Sequence, residues 1–368
     1  MTDVFQPGCL ATLIGSLPLA DHGQATDLIL EHTPEIPLWA QLPVHKEERM
    51  MAQFSSGLPG LCQDNGNVMV STESGDFDEQ LLRFYEEYVG VLDGQIDLDA
   101  SRFVLEADTA RGFFELWKRL SDLAVVPIAV KGQITGPFTL GTGIVDQNKQ
   151  AIFYDAQLRD AVVKLLAMKA RWQVRRLLRF KQPVLIFVDE PGLAGFGSAE
   201  FTSISRDDIS LCFEEIFEAV HMEGGLAGVH VCANTDWSLV LDSTADIVSF
   251  DAYAFFDRFI LYPEQIKVFI DSGKILAWGI VPTLNPDDIE RETIDSLWDL
   301  WTGQLKQLSE LGLDMQKLIN QSLITPSCGM GSLGLDSAEK VIRLTTAISR
   351  KARKLYPNPD KPELKIED

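Results

Sequence analysis

The sequence is short of cysteine, of positive charge and of long apolar runs. It has five cysteines in 368 residues, an odd number thinly spread, which excludes a disulfide-stapled secreted domain and predicts reduced thiols in the cytoplasm. It has 32 Lys and Arg against 54 Asp and Glu, a net charge of -22. Such a chain repels phosphate backbones and anionic lipids, so we expect no nucleic-acid or membrane partner. No run is long enough to span a bilayer, and the first residues lack the pattern of an export signal.

Apolar strand signals and amphipathic helix signals alternate along the chain. Residues 184–188 are all apolar and end abruptly at Asp189, which is typical of a parallel strand buried on both faces. Seven further strands are predicted, at 9–16, 38–44, 125–132, 226–232, 247–250, 275–280 and 323–326. No Pro/Gly/Ser-rich linker divides them. The pattern predicts an α/β fold with a single (β/α)8 TIM barrel over residues 1–356 and a flexible tail at 357–368.

The helices that separate these strands are predicted from apolar periodicity. They lie at about 18–32, 46–54, 77–92, 109–123, 151–180, 207–223, 237–241, 263–272, 287–311 and 337–355. A hairpin turn at Asn65-Gly66 and a short strand at 103–106 are further expectations. The alternative architecture is a doubly wound sheet. No Gly-x-Gly-x-x-Gly follows an early strand, which favours the barrel.

Polar side chains follow several of the predicted strands, where a barrel carries its active site. His230 and Cys232 are two residues apart, so on a strand both side chains point to one side. On its own the pair fits a buried histidine and a packed cysteine better than it fits a metal site. Cys328, after the last strand, adds a third soft ligand. The three residues together make a candidate zinc site. Asp251, between them, is either a fourth ligand or an acceptor for His230.

Several short motifs, in this order, resemble the catalytic domain of cobalamin-independent methionine synthase. They are Ile14-Gly15-Ser16, Asp189-Glu190-Pro191, His230-Val231-Cys232, Asp251 and Cys328-Gly329. The resemblance covers almost the whole chain and extends to the superfamily shared with uroporphyrinogen decarboxylase. It implies zinc ligation by His230, Cys232 and Cys328, with Asp251 standing where the synthase has a glutamate. It also implies that Ile14, Gly15, Ser16 and Asp189 bind homocysteine. We expect Asp189, with Glu190 beside it, to hold the ammonium group.

The expected function is therefore zinc-dependent transfer of a methyl group to a small thiol, with homocysteine the best candidate and methionine the product. Only residues 1–8 precede the first strand, so we expect no counterpart of the synthase's folate-binding half and favour a methylated corrinoid, free or on a partner protein, as donor. Residues 46–49, Lys-Glu-Glu-Arg, are the nearest match to an acidic segment beside the synthase's substrate.

Three alternatives remain. Residues 230–235 also resemble corrinoid-dependent methyltransferases that act on coenzyme M. A decarboxylase or lyase would use Asp189 and Glu190 as catalytic acid and base. A non-enzymatic protein would bind zinc and a thiol as a partner of a corrinoid protein.

Overall fold

The computed structural model describes residues 5–64, 67–123, 125–198, 201 and 203–357. The strands in these ranges are β1 (Leu10–Ala11), β2 (Leu61–Asp64), β3 (Asn67–Val70), β4 (Val130–Thr135), β5 (Val145–Asp146), β6 (Val184–Asp189), β7 (Leu226–Val231), β8 (Ile247–Phe250), β9 (Ile275–Val281) and β10 (Ser322–Pro326). The α-helices are α1 (His22–His32), α2 (Met50–Ser55), α3 (Phe77–Leu92), α4 (Arg111–Asp122), α5 (Pro137–Gly143), α6 (Ala156–Leu177), α7 (Arg206–Met222), α8 (Trp237–Leu241), α9 (Ala252–Phe259), α10 (Pro263–Asp271), α11 (Pro286–Arg291), α12 (Ile294–Glu310), α13 (Met315–Asn320) and α14 (Leu335–Leu355). Short 3₁₀ turns lie at Lys46–Glu48, Leu98–Ala100, Ile152–Tyr154, Leu178–Phe180 and Pro191–Gly195.

Seven parallel strands form one curled sheet in the order β1-β10-β9-β8-β7-β6-β4. The predicted second strand, 38–44, does not form a ladder. Instead, single bridges join Leu38 to Lys131 on β4 and Gln41 to Ser16 beyond β1. The described residues therefore form a half-barrel of seven parallel strands, with a bridging segment between its edge strands, rather than the eight-stranded ladder expected from the sequence.

The strands are buried on both faces because helices cover the outside of the sheet and apolar side chains fill its inside. Every residue of β6 and β9 is buried. The main apolar cluster packs between strands and helices, and α6 is buried along most of its 22 residues. A separate cluster of nine buried residues, including Leu185, Phe187 and Leu323, fills the concave side. Parallel strands place their carboxyl ends at one edge, so the residues that follow them converge.

Several predicted boundaries differ from the structure. Strand β4 begins at Val130 rather than at 125, because Val125 and Val126 are exposed, at 63% and 55%. Residues 103–106 form no strand. The helix predicted at 287–311 is two helices, since Thr293 caps the start of α12 in a capping box with Ser296.

The hairpin and the tail fall partly outside the described residues. Strands β2 and β3 pair antiparallel, while the Asn65-Gly66 turn between them lies outside the described ranges, as does the tail from 358. Among the described helices, none is long and apolar enough to cross a membrane.

Candidate metal centre

Three of the predicted ligands meet at the carboxyl edge of the sheet. The ligand atoms of His230, Cys232 and Cys328 all lie within 4.8 Å of one another. A tetrahedral zinc ion with nitrogen and sulfur ligands separates them by roughly 3.5–4 Å, so small side-chain movements would suffice to bind one. Among the described residues this is the one group of three or more histidine, cysteine and acidic side chains that could hold a metal ion.

The histidine is oriented by the neighbouring strand. His230 on β7 pairs in register with Ser249 on β8, and its Nδ1 lies 2.9 Å from the Ser249 Oγ. Its Nε2 is buried and has no hydrogen-bond partner. A buried ring nitrogen without a partner is costly, and a metal ion would satisfy it while the hydroxyl fixes the tautomer. The donor set of one imidazole and two thiols therefore fits zinc.

Contact between the thiols of Cys232 and Cys328 shifts the pKa values of the two groups in opposite directions. A hydrogen bond from the Cys328 thiol, helped by His230, lowers the pKa of Cys232 to about 4 even though burial opposes this. The same hydrogen bond and burial raise the pKa of Cys328. Thiolate is the form of cysteine that binds metal, so the lowered pKa of Cys232 favours ligation.

Cys328 lies in a loop that is hydrogen-bonded to Ser16, in the segment that follows β1. The Ser16 Oγ accepts a hydrogen bond from the Gly331 N–H at 3.1 Å, and the Ser16 carbonyl accepts one from Met330 at 2.9 Å. A Cβ at Gly329 would lie 2.2 Å from the Ser16 Oγ, so only glycine allows this approach. The predicted substrate residue Ser16 is therefore also a support for Cys328.

A cavity of about 500 Å³ opens above the three ligands. Its walls include the predicted residues Ile14, Ser16 and Asp189. Gln41 lies on the same wall. Its close approach requires a glycine at position 15, because a Cβ at Gly15 would lie 2.4 Å from the Gln41 Oε1. The Oδ1 of Asp189 is buried without a partner. Burial raises the pKa of Asp189 to about 6, while His230 and Lys131 act in the opposite direction.

Asp251 lies next to this group but outside it. Its Oδ1 accepts a hydrogen bond from the Ala254 N–H at 2.8 Å and caps α9. Burial raises the pKa of Asp251 to about 7. The partner of the His230 Nδ1 is Ser249 rather than Asp251. The sequence analysis did not single out Ser249.

Glu190 is turned away from the cavity. Its carboxylate accepts hydrogen bonds from the Phe138 N–H at 3.0 Å, the Thr139 N–H at 2.8 Å and the Thr139 hydroxyl at 2.6 Å. A Cβ at Gly136 would lie 2.1 Å from the Glu190 carboxyl carbon, so this glycine makes room for the side chain. Glu190 thus fastens the start of α5 and does not line the cavity with Asp189.

Comparison with solved structures gives distant similarity in three dimensions. No family model matches the sequence, and no curated protein matches it. A solved structure of a B12-independent methionine synthase from Shewanella sp. W3-18-1, in complex with selenomethionine, superposes with a TM-score of 0.45. The two chains are 18% identical, over 66% of this chain and 67% of that one.

Two charged residues at or near the cavity, Glu48 and Lys131, were not among the predicted site residues. Glu48, in the 46–49 segment, is buried at the cavity wall, where its two oxygens contact the His22 Nε2 at 2.8 and 3.0 Å. Lys131 falls near the end of the strand predicted at 125–132, whereas in the structure it is the second residue of β4 and is fully buried. The acidic 46–49 segment was the available signal for Glu48, whereas nothing in the sequence marks the surroundings of Lys131.

Proposed function

We propose that this protein is a zinc-dependent methyltransferase that transfers a methyl group to a small thiol, with homocysteine as the acceptor. The observation that carries the proposal is the group of His230, Cys232 and Cys328 at the floor of a cavity large enough for a small amino acid. Zinc held there would keep the thiol of the ligand as a thiolate at neutral pH, a form that a free thiol with a pKa of about 8.5 reaches only to a few per cent.

The other residues of the cavity suit an amino acid. Asp189 offers a buried carboxylate oxygen without a partner, which an ammonium group would satisfy. Ser16 accepts a hydrogen bond from Gly331 and keeps its own hydroxyl proton to donate to a carboxylate. A thiol such as coenzyme M carries no ammonium group and would leave Asp189 without a partner, so homocysteine is the better acceptor.

The proposed donor is a methylated corrinoid. Residues 230–235 resemble the corresponding segment of corrinoid-dependent methyltransferases. The mouth of the cavity is apolar, with Val44 63% and Met50 37% exposed beside Pro43, which suits a large and partly apolar donor. In the reaction the sulfur forms a bond to the methyl carbon, the donor–carbon bond breaks with its electron pair left on the donor, and the thiol proton passes to solvent.

A spectroscopic assay tests this proposal. Methylcobalamin is incubated with zinc-loaded protein and homocysteine, and its visible spectrum should change to that of the demethylated form as methionine accumulates. Omitting homocysteine should leave the spectrum unchanged. An inert mixture would contradict the corrinoid donor. Binding of both compounds without turnover would favour a non-enzymatic partner of a corrinoid protein.

No observation favours the lyase, because Glu190 is held by Phe138 and Thr139 away from the cavity.

A further inference from the structure

Lys131 is a charged residue in the interior of the curled sheet. It is fully buried on β4, and its Nζ donates a hydrogen bond to the Ile14 carbonyl oxygen at 2.5 Å. The Nζ also lies 4.5 Å from the centre of the Phe187 ring and 3.4 Å from the Gln133 Oε1. Among the ion pairs formed by the described residues, none involves Lys131. A buried ammonium group with so few partners opposes folding, so its presence calls for another cause.

The described wall of the cavity above Lys131 contains neither lysine nor arginine. Its ionisable residues are the acids Glu48 and Asp189, the two cysteines and His230. Lys131 lies behind Ile14, and its charge and that of Asp189 act on each other. Burial lowers the pKa of Lys131 to about 8, which still leaves the amine charged at pH 7. It is therefore a buried cation close beneath an otherwise acidic pocket.

Lys131 also fixes the backbone that forms one wall of the cavity. Ile14 accepts its hydrogen bond, and the Gly15 carbonyl accepts one from Gln41 at 3.1 Å. Ser16, the next residue, supports the loop of Cys328. The 14–16 segment is thus held from the interior by Lys131, from one side by Gln41 and from the other by Gly331.

We propose that Lys131 is a positioning residue that determines specificity: it enables the cavity to accept a thiol that also carries a carboxylate. Its charge offsets the repulsion that Asp189 exerts on such an anion, and its bond to Ile14 holds the backbone and hydroxyl of the 14–16 segment where the carboxylate would bind. The inference rests on the proposed binding of a thiol at the metal centre and adds the residue that selects among thiols.

Two thiols of equal chain length test this role. With cobalt(II) in place of zinc, a bound thiolate gives an absorption band, from which the dissociation constants of 3-mercaptopropionate and 3-mercaptopropanol are measured at pH 7. In the wild type the carboxylate thiol should bind more tightly, and Lys131→Met should reduce this preference by about tenfold or more, since a nearby charge typically shifts such equilibria by at least one decade. The neutral 3-mercaptopropanol should bind to both proteins with similar affinity.

Lys169→Met is the matched control. Lys169 is also a buried lysine whose Nζ donates to a backbone carbonyl, that of Val104 at 2.9 Å, and it is not part of the cavity wall. It should keep the preference of the wild type.

A Lys131→Met protein with the full preference would overturn the inference, as would equal weakening of the binding of both thiols, which would indicate structural support alone. Lys131→Gln decides the same question if the methionine variant does not fold. A wild type that binds 3-mercaptopropanol but shows no preference overturns the role of Lys131 alone; one that binds neither thiol overturns the proposed function as well.

Discussion

The His230 Nδ1 lies 2.9 Å from the Ser249 Oγ, and this contact between adjacent strands leaves the His230 Nε2 buried and without a partner. The strand register brings the two residues opposite each other. The hydroxyl can accept a hydrogen bond from the Nδ1–H group, which leaves Nε2 as the nitrogen with a free lone pair. The orientation of the histidine is thus built into the sheet.

Removing the Ser249 hydroxyl should weaken metal binding. We expect Ser249→Ala to lose about tenfold or more in zinc affinity, because outer partners of a ligating histidine typically contribute that much. Competition with a chromophoric chelator measures the affinity. Ser349→Ala is the control. Ser349 is another buried serine, its hydroxyl donates a hydrogen bond to the backbone carbonyl oxygen of Cys9, and it is not part of the cavity wall. Equal affinities in the wild type and Ser249→Ala would contradict the role of the hydroxyl.

Adding a methyl group at Gly329 should displace the loop of Cys328. The new Cβ of Gly329→Ala would lie 2.2 Å from the Ser16 Oγ, and zinc affinity should fall by about tenfold or more. In the double variant with Ser16→Ala the nearest remaining atom is the Ser16 Cβ at 3.4 Å, so affinity should partly return. Gly334→Ala, whose Cβ would meet nothing within 4 Å, should bind zinc normally. If the double variant binds no better than Gly329→Ala, steric displacement is not the cause.

Neutralising Asp189 should affect ligands that carry an amino group. Asp189→Asn should weaken homocysteine binding by about tenfold or more, because a hydrogen bond between charged groups contributes about 1.5–3 kcal/mol. Binding of 4-mercaptobutyrate, the same thiol without the ammonium group, should not be weakened. Both affinities come from the cobalt(II) protein, after its metal content has been checked. A similar loss for the two thiols would show that Asp189 does not recognise the ammonium group.

The buried Lys169 should make stability depend on pH. Burial lowers its pKa from 10.5 to about 8, so between these values the unfolded chain holds a proton that the folded chain has lost. The free energy of unfolding of the wild type should therefore rise with pH relative to Lys169→Met, by on the order of 1 kcal/mol per pH unit. Urea unfolding at pH 7, 8, 9 and 10 measures the difference. A constant difference from pH 7 to 10 would contradict this shift.

Apolar strands and regular helices were predictable because one local signal determines them. The run at 184–188 became β6, and the periodicity at 77–92 matches α3 residue for residue. Strand β4 was misplaced because it carries Lys131, Gln133 and Thr135 on its buried inner face, while the apolar Val125 and Val126 before it are exposed. Composition alone does not reveal which of these residues face the interior.

The site was predictable as a set of residue types and less so as a set of contacts. The spacing of His230 and Cys232 suggested a metal site only together with Cys328, and the structure does bring the three side chains together, although β7 ends one residue before Cys232. The partners of Glu190 and His230 could not be read in this way. Glu190 is held by Phe138 and Thr139, and His230 by Ser249, through contacts that depend on strand register and on the packing of α5.

Metal analysis tests the central claim most directly. Wild-type protein purified without chelator should contain close to one zinc per chain, and both Cys232→Ser and Cys328→Ser should lose most of it, since each removes one of three ligands. Cys62→Ser, which changes an exposed cysteine outside the group, should keep its zinc. A wild type without zinc, or cysteine variants that retain the wild-type content, would contradict the assignment of His230, Cys232 and Cys328 as a zinc site.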